Sequence, residues 1–274
     1  MRRTLVAALA IVVVLGGAWA GGVAGRSRRE ALWQPAGPMT PTLAPSPTPS
    51  PTPSPSPSPS ASPSAQAPAP PVADGPSGAM RFTGTSAVAL TFDDGPDPVN
   101  TPRILDILKQ NGVKATFCLV GFRARDHPEL VRRIAAEGHS LCNHSWQHLL
   151  DLAKHDDGYI RADLQRTNDA IHNAAPGVPI TLFRAPGGNF TPGLVAMARQ
   201  MGMRSAYWDV DPRDWESAKY GTGGPMIEHV VGAVNSSTRP GSIVLSHDNG
   251  KPDTIEAYRR LIPTLKNRFT LVPL

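Results

Sequence analysis

Residues 87–120 read AVALTFDDGPDPVNTPRILDILKQNGVKATFCLV. Residues 87–92 (AVALTF) form a short apolar run, and residues 114–120 (KATFCLV) form another. Between them, residues 99–110 carry apolar positions at helical spacing and stop at Asn111-Gly112. A strand, a helix ended by glycine and a second strand make a βαβ unit, whose strands run parallel. The same alternation continues to the C-terminus. Helical stretches are predicted at 128–136, 159–175, 192–201, 226–234 and 254–266, and strands at 139–142, 180–183, 204–208, 242–245 and 269–272. Seven parallel strands with helical crossovers predict an α/β domain, as an open sheet or as a barrel.

Upstream of this pattern the composition changes. Sixteen of the 30 prolines lie between Pro35 and Pro76, and no charged residue occurs from Ala31 to Ala73. A Pro/Ser/Thr/Ala alternation of this kind has nothing to bury against the entropy of ordering, so residues 26–79 read as a disordered, extended Pro/Ser-rich linker. Residues 1–25 open on Met1-Arg2-Arg3, run apolar from Leu5 to Leu15, and reach Ala18-Trp19-Ala20 with small residues at both ends of an A-x-A cleavage site. That is a signal peptide, or a membrane anchor if uncleaved, since 4–25 is free of charge and just long enough to span a bilayer. Both readings place the folded domain, 80–274, outside the cytoplasm, secreted or associated with the cell wall.

The net charge of +5 excludes less than it suggests. Five basic residues, Arg2, Arg3, Arg26, Arg28 and Arg29, precede the uncharged Pro-rich stretch, and the 80–274 domain carries 22 basic against 20 acidic residues. No concentrated basic surface exists to bind nucleic acid.

The unusual polar residues follow predicted strand ends, where parallel α/β folds carry their sites. Thr91-Phe92-Asp93-Asp94-Gly95-Pro96 sets two carboxylates side by side, either in a polar turn or as one metal ligand and one general base. His144-Ser145-Trp146-Gln147-His148 holds two imidazoles four apart, which share a face if the segment turns helically and could then share a metal ion, or are two surface histidines. Two nitrogens and a carboxylate would leave positions open for water and substrate. Arg184-Ala185-Pro186-Gly187-Gly188, Asp211-Pro212-Arg213-Asp214-Trp215 and Leu245-Ser246-His247-Asp248 complete the set; taken singly, each also reads as an ordinary turn, charged loop or structural histidine. A glycosidase would need two carboxylates flanking a cleft, whereas Asp93 and Asp94 are adjacent and the histidine pair would go unexplained.

Together, in order and spacing, TFDDGP, HSWQH, RAPGG, DPRDW and LSHD resemble the five motifs of the polysaccharide deacetylase family, the NodB-homology domain of carbohydrate esterase family 4. The resemblance covers about residues 80–274. It implies a distorted, TIM-like (β/α)7 barrel and a metal-dependent hydrolase that removes N-acetyl groups from amino sugars. It implies Asp94, His144 and His148 as metal ligands, with Zn²⁺ first among divalent ions. Asp93 would be the general base with Arg184 as its charge partner, and His247 the general acid with Asp214 behind it. Trp215 and Leu245 would wall the acetyl pocket. The family usually has an aromatic residue where this chain has Gly187; glycine keeps the backbone N–H expected to donate to the oxyanion and loses the groove-lining side chain. The expected substrate is N-acetylglucosamine in a cell-wall polysaccharide, peptidoglycan first and chitooligosaccharide second. An O-acetyl esterase on acetylxylan is the alternative within the family, and an inactive wall-binding module the alternative outside enzymes. The chain is expected to act as a monomer, touching membrane only if the N-terminal segment stays uncleaved.

Cys118 and Cys142 are the only cysteines. An exported protein meets an oxidising setting, and consecutive parallel strands lie within disulfide reach, so the two are a candidate pair; two buried free thiols are the other reading.

Overall fold

The computed structural model describes residues 73–274. The signal or anchor reading of 1–25, and the linker up to residue 72, lie outside the described residues. Among the described residues no helix is long and apolar enough to cross a membrane. The last residues assigned to the linker are built into the domain. Gly75 donates its N–H to the carbonyl of Ala79, and Ala79 is buried.

The elements follow in chain order: β1 (Ala89–Asp93), α1 (Asn100–Asn111), β2 (Thr116–Leu119), α2 (Gly121–Asp126), α3 (Pro128–Ala136), β3 (Ser140–Asn143), α4 (Asp157–Ala174), β4 (Leu182–Phe183), α5 (Pro192–Gln200), β5 (Arg204–Ser205), α6 (Ser217–Tyr220), α7 (Gly224–Ser237), β6 (Ile243–Val244) and α8 (Pro252–Arg268). The helix ends follow local chemistry. Asp97 Oδ1 accepts from the N–H groups of Val99 and Asn100 at the start of α1, and Gly112 ends that helix in the left-handed region at φ 64°. Asp156 and Thr191 cap α4 and α5 with their side-chain oxygens.

The six strands are all parallel in the order β5-β4-β3-β2-β1-β6, a curled half-barrel wrapped by helices. The open side is spanned by single bridges, Met80 to Ala206 and Val210 to Val244. Four predicted strands are shorter than expected; those at 180–183 and 242–245 are regular only over Leu182–Phe183 and Ile243–Val244. The run at 204–208 is regular only over Arg204–Ser205, because the carbonyls of Ala206 and Tyr207 turn toward the Arg184 guanidinium. The run at 269–272 makes one bridge, Leu271 to Val88, since the rest of β1 is already paired with β2 and β6. It ends with the Leu274 N–H donating to Thr116 Oγ1 and the Leu274 carbonyl accepting from Ser140 Oγ, so this segment lies at the N-terminal ends of β2 and β3.

Strand alternation divides the apolar residues between two faces. Leu90, Phe92, Phe117, Leu119, Leu141, Phe183 and Val244 point outward into the main core beneath the helices. Ala89, Cys118, Cys142, Leu182 and Ile243 point inward and form a separate, smaller cluster with Met80 and Ala206. Cys118 and Cys142 are register partners on β2 and β3 and are joined by a disulfide, their Cα atoms 4.2 Å apart.

Candidate active site

The inward row of β1 rises from Ala89 through Thr91 to Asp93 at the C-terminal end of the barrel. Asp93 is buried, and its Oδ1 accepts from Arg184 Nη1 at 2.7 Å. Arg184 continues the inward row of β4 and is fully buried. Its guanidinium also donates to Thr91 Oγ1 at 2.8 Å and to the carbonyls of Ala206 and Tyr207. Four of its five N–H donors are therefore matched, as a buried cation requires.

The next residue turns sharply. Asp94 has φ 73°, ahead of a cis Gly95–Pro96 bond. This left-handed backbone, uncommon without glycine, points successive carboxylates to different places. Asp94 Oδ1 lies 3.4 Å from His144 Nε2 and 3.3 Å from His148 Nε2, and one donor atom from each of the three residues falls within 4.8 Å of the others. The two imidazoles are not on a helix. They lie on the loop after β3, where Ser145 (φ 63°) and His148 (φ 58°) are left-handed and Ser145 Oγ accepts from the His148 N–H. The loop reverses on itself, and the rings meet with centroids 4.9 Å apart.

These residues suit a divalent cation. Asp94 Oδ1 is buried and has no hydrogen-bond partner, an orphan that a cation would satisfy. His144 Nδ1 lies 2.8 Å from the Arg184 carbonyl, which can only accept, so the proton sits on Nδ1 and the Nε2 lone pair faces Asp94. Burial would raise the pKa of Asp94, but the neighbouring His144, His247 and His148 hold it well below the usual carboxylate range. Burial and the adjacent His144 push His148 downward, toward the neutral form a ligand needs. An Asp-His-His set matches zinc and its neighbours in ligand softness.

On the other side of Asp93, the segment after β6 brings in His247, through a parallel bridge between Asp93 and His247. His247 Nδ1 is 2.7 Å from Asp214 Oδ1, and the His247 N–H donates to Asp214 Oδ2. Thr254 Oγ1 also donates to Oδ2, so the buried Asp214 is saturated on both oxygens. Burial works against a charged His247, yet Asp214 outweighs it and lifts the imidazole to about 9, with Asp94 and Asp93 adding to the effect. The ring is therefore held as an imidazolium, its Nδ1–H on Asp214 and its Nε2–H toward the cleft. Beneath it, Asp248 is wholly buried; Oδ2 accepts from Thr101 Oγ1 and Oδ1 has no partner. Burial, reinforced by Asp94 and Asp97, pushes Asp248 up to about 7.

All of this opens into one cleft of about 430 Å3. Asp93, Asp94, His144, His148 and His247 form its floor, and Leu245, Trp215 and Trp208 its apolar wall. Gly187 and Gly188 form its lip, both left-handed at φ 61° and 70°. A Cβ on Gly188 would fall 2.6 Å from Trp208, so only glycine lets that indole lie against the lip. Leu150, Asn189, Trp208 and Asp211 line the cleft without having been singled out as site residues, although Trp208 and Asp211 sit in or beside a quoted motif. Thr91, which opens the TFDDGP motif, completes the shell of Arg184; Thr254, which completes that of Asp214, left no mark in the sequence pattern.

The family model described as "Polysaccharide deacetylase" matches residues 81–206. A chitooligosaccharide deacetylase of Sinorhizobium fredii is 39% identical over 202 residues, covering 69% of this chain and 90% of that protein. A peptidoglycan-N-acetylglucosamine deacetylase of Bacillus cereus is 35% identical over 185 residues, covering 66% of this chain and 82% of that one. The solved family 4 carbohydrate esterase from Streptomyces lividans, in complex with acetate, superposes with a TM-score of 0.61 at 32% identity, over 69% of this chain and 91% of that one. Sequence, fold and the geometry of the cleft agree, and the chain belongs to the polysaccharide deacetylase family.

Proposed function

We propose that this protein is an exported, metal-dependent N-deacetylase that hydrolyses the acetamide of N-acetylglucosamine residues in a cell-wall glycan, peptidoglycan first and chitooligosaccharide second. The observation that carries the reading is the juxtaposition in one cleft of the Asp94-His144-His148 cluster, an Arg184-bound carboxylate at Asp93, and an Asp214-bound imidazole at His247. The division into a signal or anchor (1–25), a spacer (26–79) and the catalytic domain (80–274) belongs to the same proposal. A tether of that composition lets the domain work within a wall at a distance from the membrane.

Asp94, His144 and His148 would hold the cation, which when bound supplies Lewis acidity to water and to the acetamide carbonyl. Asp93 takes the proton of the attacking water at its Oδ2, the oxygen that Arg184 leaves uncovered. Arg184 pairs with that carboxylate and fixes its direction. Gly187 presents its N–H toward the developing oxyanion. Leu245 and Trp215 receive the acetyl methyl and exclude bulk water. His247, charged through Asp214, delivers a proton from Nε2 to the departing nitrogen. Without that proton an amide anion would have to leave. One carboxylate must therefore act as a base while one imidazole acts as an acid at the same pH; Arg184 orients the first and Asp214 keeps the second charged.

The test is acetate release from purified peptidoglycan, chitooligosaccharides and acetylxylan in parallel, with and without chelator. Release from the first two, abolished by chelation and restored by Zn²⁺, is expected. Release from acetylxylan alone would make the protein an O-acetyl esterase. No release from any glycan, with the metal loaded, would overturn the proposal.

A further inference from the structure

Leu150 is 59% exposed, one of the few large apolar side chains of the described residues that face solvent, and it stands at the rim of the catalytic cleft. Its position is held from two sides. Its carbonyl accepts from Asn189 Nδ2 at 2.9 Å, and the tight turn Leu152–Lys154 follows directly. A Cβ on Gly187 would lie 3.0 Å from Leu150 Cδ2, so the volume beside that glycine is taken by the leucine. The lip of the cleft is thus apolar because of a side chain supplied from the loop after the histidine pair.

Leu150 also faces a second hollow. A groove of about 500 Å3 runs on from the cleft between Asp151, Ala153 and Lys154 on one bank and Phe190 and Thr191 on the other. Leu150 and Asn189 line both spaces. Anything longer than one sugar that leaves the cleft on this side crosses Leu150 before entering the groove. The groove's lining suits a glycan: aliphatic and aromatic carbon for the C–H face of a pyranose, with carboxylate, ammonium, amide and hydroxyl groups for its substituents. An exposed leucine against water gains free energy when such a face covers it.

We infer that Leu150 is a specificity-determining residue: the sugar next to the one being deacetylated packs on Leu150, and the chain continues into the adjoining groove, so that the enzyme selects oligomers by length. This rests on the proposal that the substrate is an N-acetylglucosamine polymer.

Acetate release is measured on N-acetylglucosamine oligomers of two to six units for wild type and Leu150→Ala. In wild type kcat/KM climbs with length. In Leu150→Ala KM for the longest oligomer rises about tenfold with kcat nearly unchanged, the pattern of lost uniform binding, while the single sugar N-acetylglucosamine, assayed alongside and having no neighbour to pack on Leu150, is little affected. Leu150→Met, which restores apolar bulk, recovers the length dependence. An unchanged KM on the longest oligomer, or an equal change at every length, overturns the inference. Should wild type release no acetate from any glycan, the proposed reaction fails, and the groove is still judged by binding. Quenching of tryptophan fluorescence by the hexamer then decides: about tenfold weaker binding in Leu150→Ala supports the groove, and equal affinity or no binding in either protein refutes it.

Discussion

Asp214→Asn isolates the acid half of the proposed reaction. His247 sits at about 9 instead of the ordinary 6.5, although burial pulls the other way and Asp214 is the chief cause of the rise. That displacement corresponds to roughly 3 kcal/mol of preference for the imidazolium. Asparagine keeps the shape and removes the charge. Its carbonyl oxygen would accept from the His247 N–H and Thr254 Oγ1, as Oδ2 of Asp214 does now, which turns the NH2 group toward His247 Nδ1. Nδ1 must then accept, the proton moves to Nε2, and the ring is held as a neutral imidazole. With burial no longer opposed by its neighbour, the value falls below the ordinary 6.5. At pH 7.5 the charged fraction drops from nearly all to a tenth or less, so kcat/KM falls at least about tenfold from protonation alone. A bound cation shifts both enzymes together, so the difference between them at equal metal loading is the quantity to read. The assay is kcat/KM for acetate release from pH 5 to pH 10, paired with an NMR titration of the His247 ring. The basic limb should move to lower pH in the variant. The sign extends to stability: because the folded value is raised, the pair's contribution is complete below 6.5 and disappears as pH climbs through about 9. A basic limb and ring titration unchanged by Asp214→Asn would refute the role given to Asp214.

Three further outcomes are expected. His148→Ala should lose stoichiometric metal, by elemental analysis, and nearly all turnover while keeping the wild-type circular dichroism spectrum, because the ligand hangs on a loop over a complete core; full activity with bound metal would remove it from the triad. Asp248→Asn should stabilise the protein more at pH 8 than at pH 4.5 in thermal melts, since a carboxyl held near 7 in the fold costs stability as pH rises from its unfolded value through 7; an equal effect at both pH values would contradict its burial as the cause. Reducing the Cys118–Cys142 bond, which closes a separation of 24 residues, should lower stability by about 3 kcal/mol in denaturant melts, and thiol titration of the unfolded, unreduced protein should find none free.

Much of this was legible before any coordinates, for reasons that differ by element. The apolar helical face at 99–110 and its Asn-Gly stop translate directly into α1, because periodicity and capping are local. The strand at 87–92 was equally plain, but its division into outward Leu90 and Phe92 and inward Ala89 and Thr91 shows only once the barrel closes. The runs at 204–208 and 269–272 look like strands by composition and are cut short by competition for backbone partners, which is a tertiary effect. At the site, the five motifs name the floor of the cleft. The helical turn expected for the histidine pair does not form, because Ser145 and His148 adopt positive φ, a choice that non-glycine side chains do not announce. Leu150 and Asn189 were invisible for another reason: an exposed leucine and an asparagine on separate loops acquire meaning only through their contact with each other.

Arg184 has one more consequence, for how this chain can change by descent. It is fully buried, and it binds Asp93, a threonine on β1 and the two carbonyls that end β5. Losing either Asp93 or Arg184 alone would strand a buried charge, at a cost of about 3–5 kcal/mol, a large part of a domain's whole stability. Losing Asp94 or His148 strands nothing comparable, since each sits partly exposed at the mouth of the barrel. A lineage that gave up this chemistry would therefore shed its rim residues first. The buried pair would stay behind as an inherited scaffold, or be exchanged together for apolar residues, long after the reaction it served had gone.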